Sequence, residues 1–195
     1  MIFLSFTFIL FTAIGTVAHE CGHFLASEFF GDEATIHYKY CSHLCPHNHP
    51  HRHAIFFILG GPLQTVLTGT TGFFLLFVFR KSFDKAARLS VGQWILIFIS
   101  LFWLRQTANF IIHLGAYVLT GKLHRRDEWA ISRALHLSGW AIPAATALIG
   151  VVILAIIIFK FIPLSQRFTF VISGIIGGTL GYFCWLVWLG KYILP

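Results

Sequence analysis

His19-Glu20-Cys21-Gly22-His23 sets two imidazoles four residues apart, with a carboxylate beside the first. On a helix, residues four apart lie on one face, one turn above each other. His19 and His23 can therefore hold one ion between them. Glu20 does not share that face squarely, yet it can reach a water bound to the same ion. A divalent metal held this way acidifies the water and polarises a carbonyl, while Glu20 takes the proton. Chance alone would yield this pattern about once in a hundred chains of such His and Glu content. The competing explanation is a hydrogen-bonded polar cluster between helices.

The elements that position these residues follow from composition. The chain has 195 residues, of which 57% are hydrophobic and 11% charged; its mean hydropathy is +0.79. A soluble domain carries about 25% charged residues to cover its surface. This chain cannot do so, and lipid removes the need. Five apolar runs, at about 2–30, 54–79, 91–119, 140–162 and 168–189, are each long enough to span a bilayer. The expected fold is all-α, a polytopic transmembrane bundle of about five spans. Residues 1–18 lack the basic start of a signal peptide, and cleavage there would strand His19, so a retained helix is expected. The three ionisable residues of the motif fall within the first span, where such groups are expensive and by default functional.

Net charge is +7, from 14 Lys and Arg against 7 acids. The bases sit in short loops between apolar runs, as topology and lipid headgroups require. No nucleic-acid partner is expected; the bilayer is. The loops after the first and third spans share one side with the C-terminus. Basic residues are nearly level between the two sides and lean towards that first side being cytoplasmic. The four cysteines are scattered and suggest no disulfide framework.

The motif in an apolar helix resembles the site-2 protease family of zinc intramembrane metalloproteases. Gly22 before the second His is common there. Gly60-Gly61-Pro62-Leu63 is similar to the Gly-Pro-Leu that opens the next core helix in many members, and Asn109 resembles the Asn that precedes their third ligand. The resemblance covers about the first 130 residues. It implies a three-helix metalloprotease core over 1–130, followed by two additional spans over 131–195. It also implies zinc as cofactor and membrane-anchored proteins as substrates.

Family members usually take their third ligand from an Asp-Gly, which this sequence lacks. Its Asp residues are Asp32, Asp84 and Asp127. His19 and His23 lie at the end of their helix that faces the first side, so the third ligand must come from there. Asp84 is on the opposite side. Asp127 follows the third span on the correct side and ranks first, then His113, then Asp32. Asp127 is alternatively a loop carboxylate paired with Arg125 or Arg126, or a cap for a helix from Glu128.

Arg105, Asn109 and His113 are spaced by four on the third span. If that face looks into the active cavity, Arg105 or Asn109 can stabilise an oxyanion or hold a substrate backbone. Otherwise they bond to Gln64 or Thr65 of the second helix. Gly60, Gly61 and Pro62 are expected to break the second helix early, either for close packing or to admit an unwound substrate. A short strand is expected over 36–40, whose residues alternate. Residues 80–88 and 121–138 read as charged loops.

After the strand come Cys41, His43, Cys45, His47, His49, His51 and His53. Imidazoles and thiolates suit zinc, copper or nickel, so this loop is a candidate second metal site; otherwise it is a polar cap over the active site. In the fifth run, Gly174, Gly178 and Gly181, with Gly177, form overlapping small-residue pairs that pack within the chain or build a homodimer.

The expectation is an intramembrane zinc metalloprotease of the cell membrane. Glu20 is the general base, His19, His23 and Asp127 are the ligands, and membrane-anchored proteins are the substrates. The rivals are a metal transporter or sensor that uses the His/Cys loop, and an inactive homologue with a scaffold role.

Overall fold

The structure is a computed structural model. It describes the chain except residues 45–49, 85, 123–125 and 195, with backbone only at 50–52. Cys45, His47, His49 and the side chain of His51 thus lie outside the described residues.

Among the described residues, nine helices and one hairpin follow in order. They are α1 (Ile2–Phe29), β1 (Glu33–Ile36), β2 (Cys41–Leu44), α2 (Pro50–Val78), α3 (Arg80–Asp84), α4 (Val91–Ser100), α5 (Leu104–Thr120), α6 (Asp127–Ala134), α7 (Ala141–Ile156), α8 (Leu164–Tyr182) and α9 (Gly190–Ile193). A 3-10 turn at Leu101–Trp103 joins α4 to α5. Wide π turns extend α7 through Phe161 and connect α8 to α9. Among the described residues, five helices are long and apolar enough to cross a membrane: Ile2–Phe29, His53–Val78, Val91–Thr120, Ala141–Phe161 and Leu164–Ile193. The fold is an all-α bundle.

α1 lies between α2 and α8; α2 also packs on α4 and α6, and α5 on α7. The two C-terminal spans thus belong to the same bundle as the first three. Its core centres on Phe8, whose ring lies 4.9 Å from Phe98 and 5.4 Å from Phe170. Leu76, Ile97 and Ile157 are fully buried beside it. Large apolar side chains such as Ile14, Leu67, Phe74 and Leu148 cover the outside. Water would penalise so extensive an apolar surface; acyl chains do not.

Small residues allow the closest approaches. A methyl group on Gly177 would strike the Ser5 carbonyl, and one on Gly181 the Thr12 side chain. Gly174 faces the Phe8 ring. Gly174 and Gly181 are therefore taken up by α1 of the same chain, while Gly178 has open space around it. Gly22 and Gly60 form the crossing of α1 on α2.

Three expectations need correction. The strand is not at 36–40: β1 and β2 pair antiparallel around that segment, Ile36 opposite Cys41 and Glu33 opposite Leu44. Residues 37–40 make the turn, closed by the His37 N–H donating to the Tyr40 carbonyl at 2.9 Å. Alternation continued through the turn and hid it. Residues 80–88 begin with the short helix α3, and 121–138 contains α6. In both, charge on one face of an amphipathic turn reads locally as loop. The second helix does not break at Gly60–Pro62: α2 is continuous through Pro62.

Two glycines in the left-handed region set the course of the chain near the first side. Gly31 (φ 72°) turns it from α1 into the hairpin, and Gly121 (φ 65°) ends α5. A side chain at either φ would be strained. The hairpin is anchored by the C-terminus: Trp185 Nε1 donates to the Tyr38 carbonyl at 2.7 Å, and the Tyr38 N–H to the Leu194 carbonyl at 3.0 Å.

Candidate metal centre

His19 and His23 lie one turn apart on α1 and are both buried. Each ring is oriented through Nδ1. His19 Nδ1 is 2.9 Å from Thr65 Oγ1, and that hydroxyl donates to the Gly61 carbonyl at 3.1 Å. With the Thr65 hydrogen committed, His19 Nδ1 must carry the proton. His23 Nδ1 is 2.6 Å from the Phe57 carbonyl, which only accepts, so it too carries a proton. The Gly61 N–H, 3.4 Å from the same nitrogen, is too distant to compete. Both neutral rings therefore present a lone pair at Nε2. Metal-ligating histidines are usually fixed in this way, with the second nitrogen bound to an oxygen.

The two Nε2 atoms are 3.3 Å apart, and Asp127 Oδ2 lies 3.2 Å from the first and 3.3 Å from the second. Tetrahedral zinc with bonds of about 2.0–2.1 Å separates its ligand atoms by about 3.3–3.4 Å. The triangle has those edges. An aspartate carboxyl is ordinarily ionised at neutral pH. Three acceptors facing one another repel unless a cation lies between them, so the residues fit a divalent metal.

α6 delivers Asp127. The helix starts at Asp127 and packs on α2, with two acids in its first turn, where the helix dipole favours them. Among the described residues, His19, His23 and Asp127 form the one group of three ligands that converges. The other residues weighed as third ligand lie elsewhere. Asp32 accepts from His43 and His53. His113 lines a narrow cleft between α5, α6 and α7, with Asn109 and Glu128.

The Arg105, Asn109 and His113 face therefore does not look into one cavity. Four residues turn a helix by about 400°, so each step of four drifts about 40°. Arg105 faces α1, whereas Asn109 and His113 have rotated towards α6 and α7. Arg105 Nη2 is 3.8 Å from Glu20 Oε1, and Nη1 donates to Thr16 Oγ1 at 3.4 Å. Its partners are on α1, not Gln64 or Thr65. A carboxylate at this depth needs such a counter-charge. Glu20 itself is 5% exposed and stands beside the ligand triangle.

Gly61 is the part of the centre that the motif does not announce. A Cβ there would fall on Nε2 of both His19 and His23. Gly61→Ala is expected to abolish zinc binding by filling the ligand triangle, whereas Gly15→Ala, with open space around it, leaves binding unchanged. Metal content of the purified variants decides. Thr65 and the Phe57 carbonyl were also missed, because no spacing within α2 marks a partner for a histidine on α1.

Of the His/Cys loop, His43 and His53 bond to Asp32, as given above. Burial pushes the Cys41 thiol up to about 11, and its Sγ donates to the Ser42 carbonyl at 3.6 Å. Comparisons with protein-family models, curated proteins and solved structures found no match, so the candidate centre rests on its own residues.

Proposed function

We propose that this protein is an intramembrane zinc metalloprotease that hydrolyses peptide bonds of membrane-anchored proteins, in the cell membrane. The observation that carries the reading is the triangle of His19 Nε2, His23 Nε2 and Asp127 Oδ2 with a buried carboxylate next to it. His19, His23 and Asp127 would hold zinc with two imidazoles and one carboxylate, a donor set that catalytic zinc sites use. When bound, zinc would supply Lewis acidity to a water and to the scissile carbonyl.

The chain's own residues supply the rest. Glu20 takes the proton from water and returns it to the leaving amine. Arg105 holds Glu20 from α5. Thr65 and the Phe57 carbonyl hold the imidazoles in the ligating tautomer. The surrounding helices bury His19, Glu20 and His23.

The test is hydrolysis of membrane-anchored reporter helices by the detergent-purified protein, with and without chelator. Cleavage that stops with 1,10-phenanthroline and returns with stoichiometric zinc is the expected result. Cleavage indifferent to chelator would overturn the metalloprotease reading.

A further inference from the structure

Asp32, at the corner between α1 and β1, is 3% exposed. Its carboxylate receives His43 Nε2 at 3.1 Å and His53 Nδ1 at 2.9 Å. A carboxylate only accepts, so both rings donate to it. These two bonds join β2 to the first turn of the second span. They also fix the plane of the His43 ring.

That ring lies flat on Phe57, with centroids 4.5 Å apart and planes 12° from parallel. The Phe57 ring also meets His23, with centroids 4.9 Å apart. Phe57 thus touches both a hairpin histidine and a ligand histidine. Its carbonyl is also the acceptor that holds His23 Nδ1. Pro62, five residues on, has no N–H, so the Ile58 carbonyl next to that of Phe57 lacks its helical donor.

We propose that His43 is a positioning residue for the metal centre. Clamped by Asp32, it braces Phe57 so that the Phe57 carbonyl keeps His23 in its ligating tautomer and orientation. This rests on the reading of His19, His23 and Asp127 as metal ligands. The hairpin thereby acts on the centre without touching the ion. Partners outside the ligand set typically contribute 10–100-fold to metal affinity. His43 acts one contact further out, so a loss of about 10-fold is expected.

The experiment is a zinc competition titration on the full-length protein in detergent, against a chelator of known affinity. His43→Ala is expected to bind zinc about 10-fold more weakly than wild type. His43→Phe, which restores a flat ring on Phe57, is expected to recover most of that affinity. Phe57→Leu, which removes the ring from the other side, should match His43→Ala and serves if that variant does not fold. Melting of the zinc-free proteins is recorded in parallel; a general loss of stability would follow loss of the Asp32 bond in both His43 variants alike. Wild-type affinity in His43→Ala or Phe57→Leu, or equal weakening in His43→Phe and His43→Ala, would overturn the brace while leaving the centre intact. Absence of zinc from the wild type would overturn both readings.

Discussion

Wild type is expected to hold one zinc ion per chain, and Asp127→Ala and His23→Ala are each expected to lose it. Both side chains contribute one edge-forming atom to a triangle of 3.2–3.3 Å sides. Even residues outside the ligand set cost 10–100-fold in affinity when removed, so a ligand costs more than about 100-fold. Two ligands on one helix remain after Asp127→Ala, enough for adventitious binding but not for retention through dialysis against chelator. Metal analysis of the dialysed proteins reads the outcome directly. Zinc retained by Asp127→Ala and lost by His23→Ala would remove Asp127 from the ligand set. It would also dissociate the bound state from the geometry described, since His113 and Asp32 face other partners.

Glu20→Gln is expected to keep zinc and lose turnover by about 10²–10⁴-fold, the usual worth of a general base. The substitution is close to isosteric and leaves His19, His23 and Asp127 in place. It also leaves Arg105 without its counter-charge. Breaking a buried pair costs about 3–5 kcal/mol. The 3.8 Å separation and the 22% exposure of the Arg105 side chain put this pair below that range. A melting curve of the zinc-loaded variant therefore accompanies the rate measurement. Lost turnover with full zinc and only slightly lowered melting assigns the chemistry to Glu20. Unchanged turnover would deny it the role of base, and zinc bound without turnover in the wild type would favour a metal-carrying protein.

These two experiments separate binding from chemistry, which a single histidine variant cannot do. His23→Ala removes both together. Gly61→Ala adds a third view, because it changes no ligand and no charge but occupies the space that the ion needs.

The amino-acid sequence by itself determined whatever depends on neighbours along one helix. The five spans follow from apolar runs of sufficient length, because each helix satisfies its own backbone in lipid. The pairing of His19 with His23 follows from a spacing of four. Asp127 was favoured because it lies on the correct side after the third span. Only the tertiary structure shows that Asp127, rather than His113 or Asp32, meets the two histidines, for the contact of Asp127 with His19 joins residues 108 apart in sequence. That contact requires the helix that starts at Asp127 to pack across α2, which no local pattern announces. The partner of Arg105 was equally out of reach, since it depends on how far α5 is rotated against α1. The same holds for Gly61 and Phe57: their roles come from the close crossing of α1 and α2, where backbone rather than side chain meets the histidines. Periodicity along a chain records which residues share a face; only packing determines what that face meets.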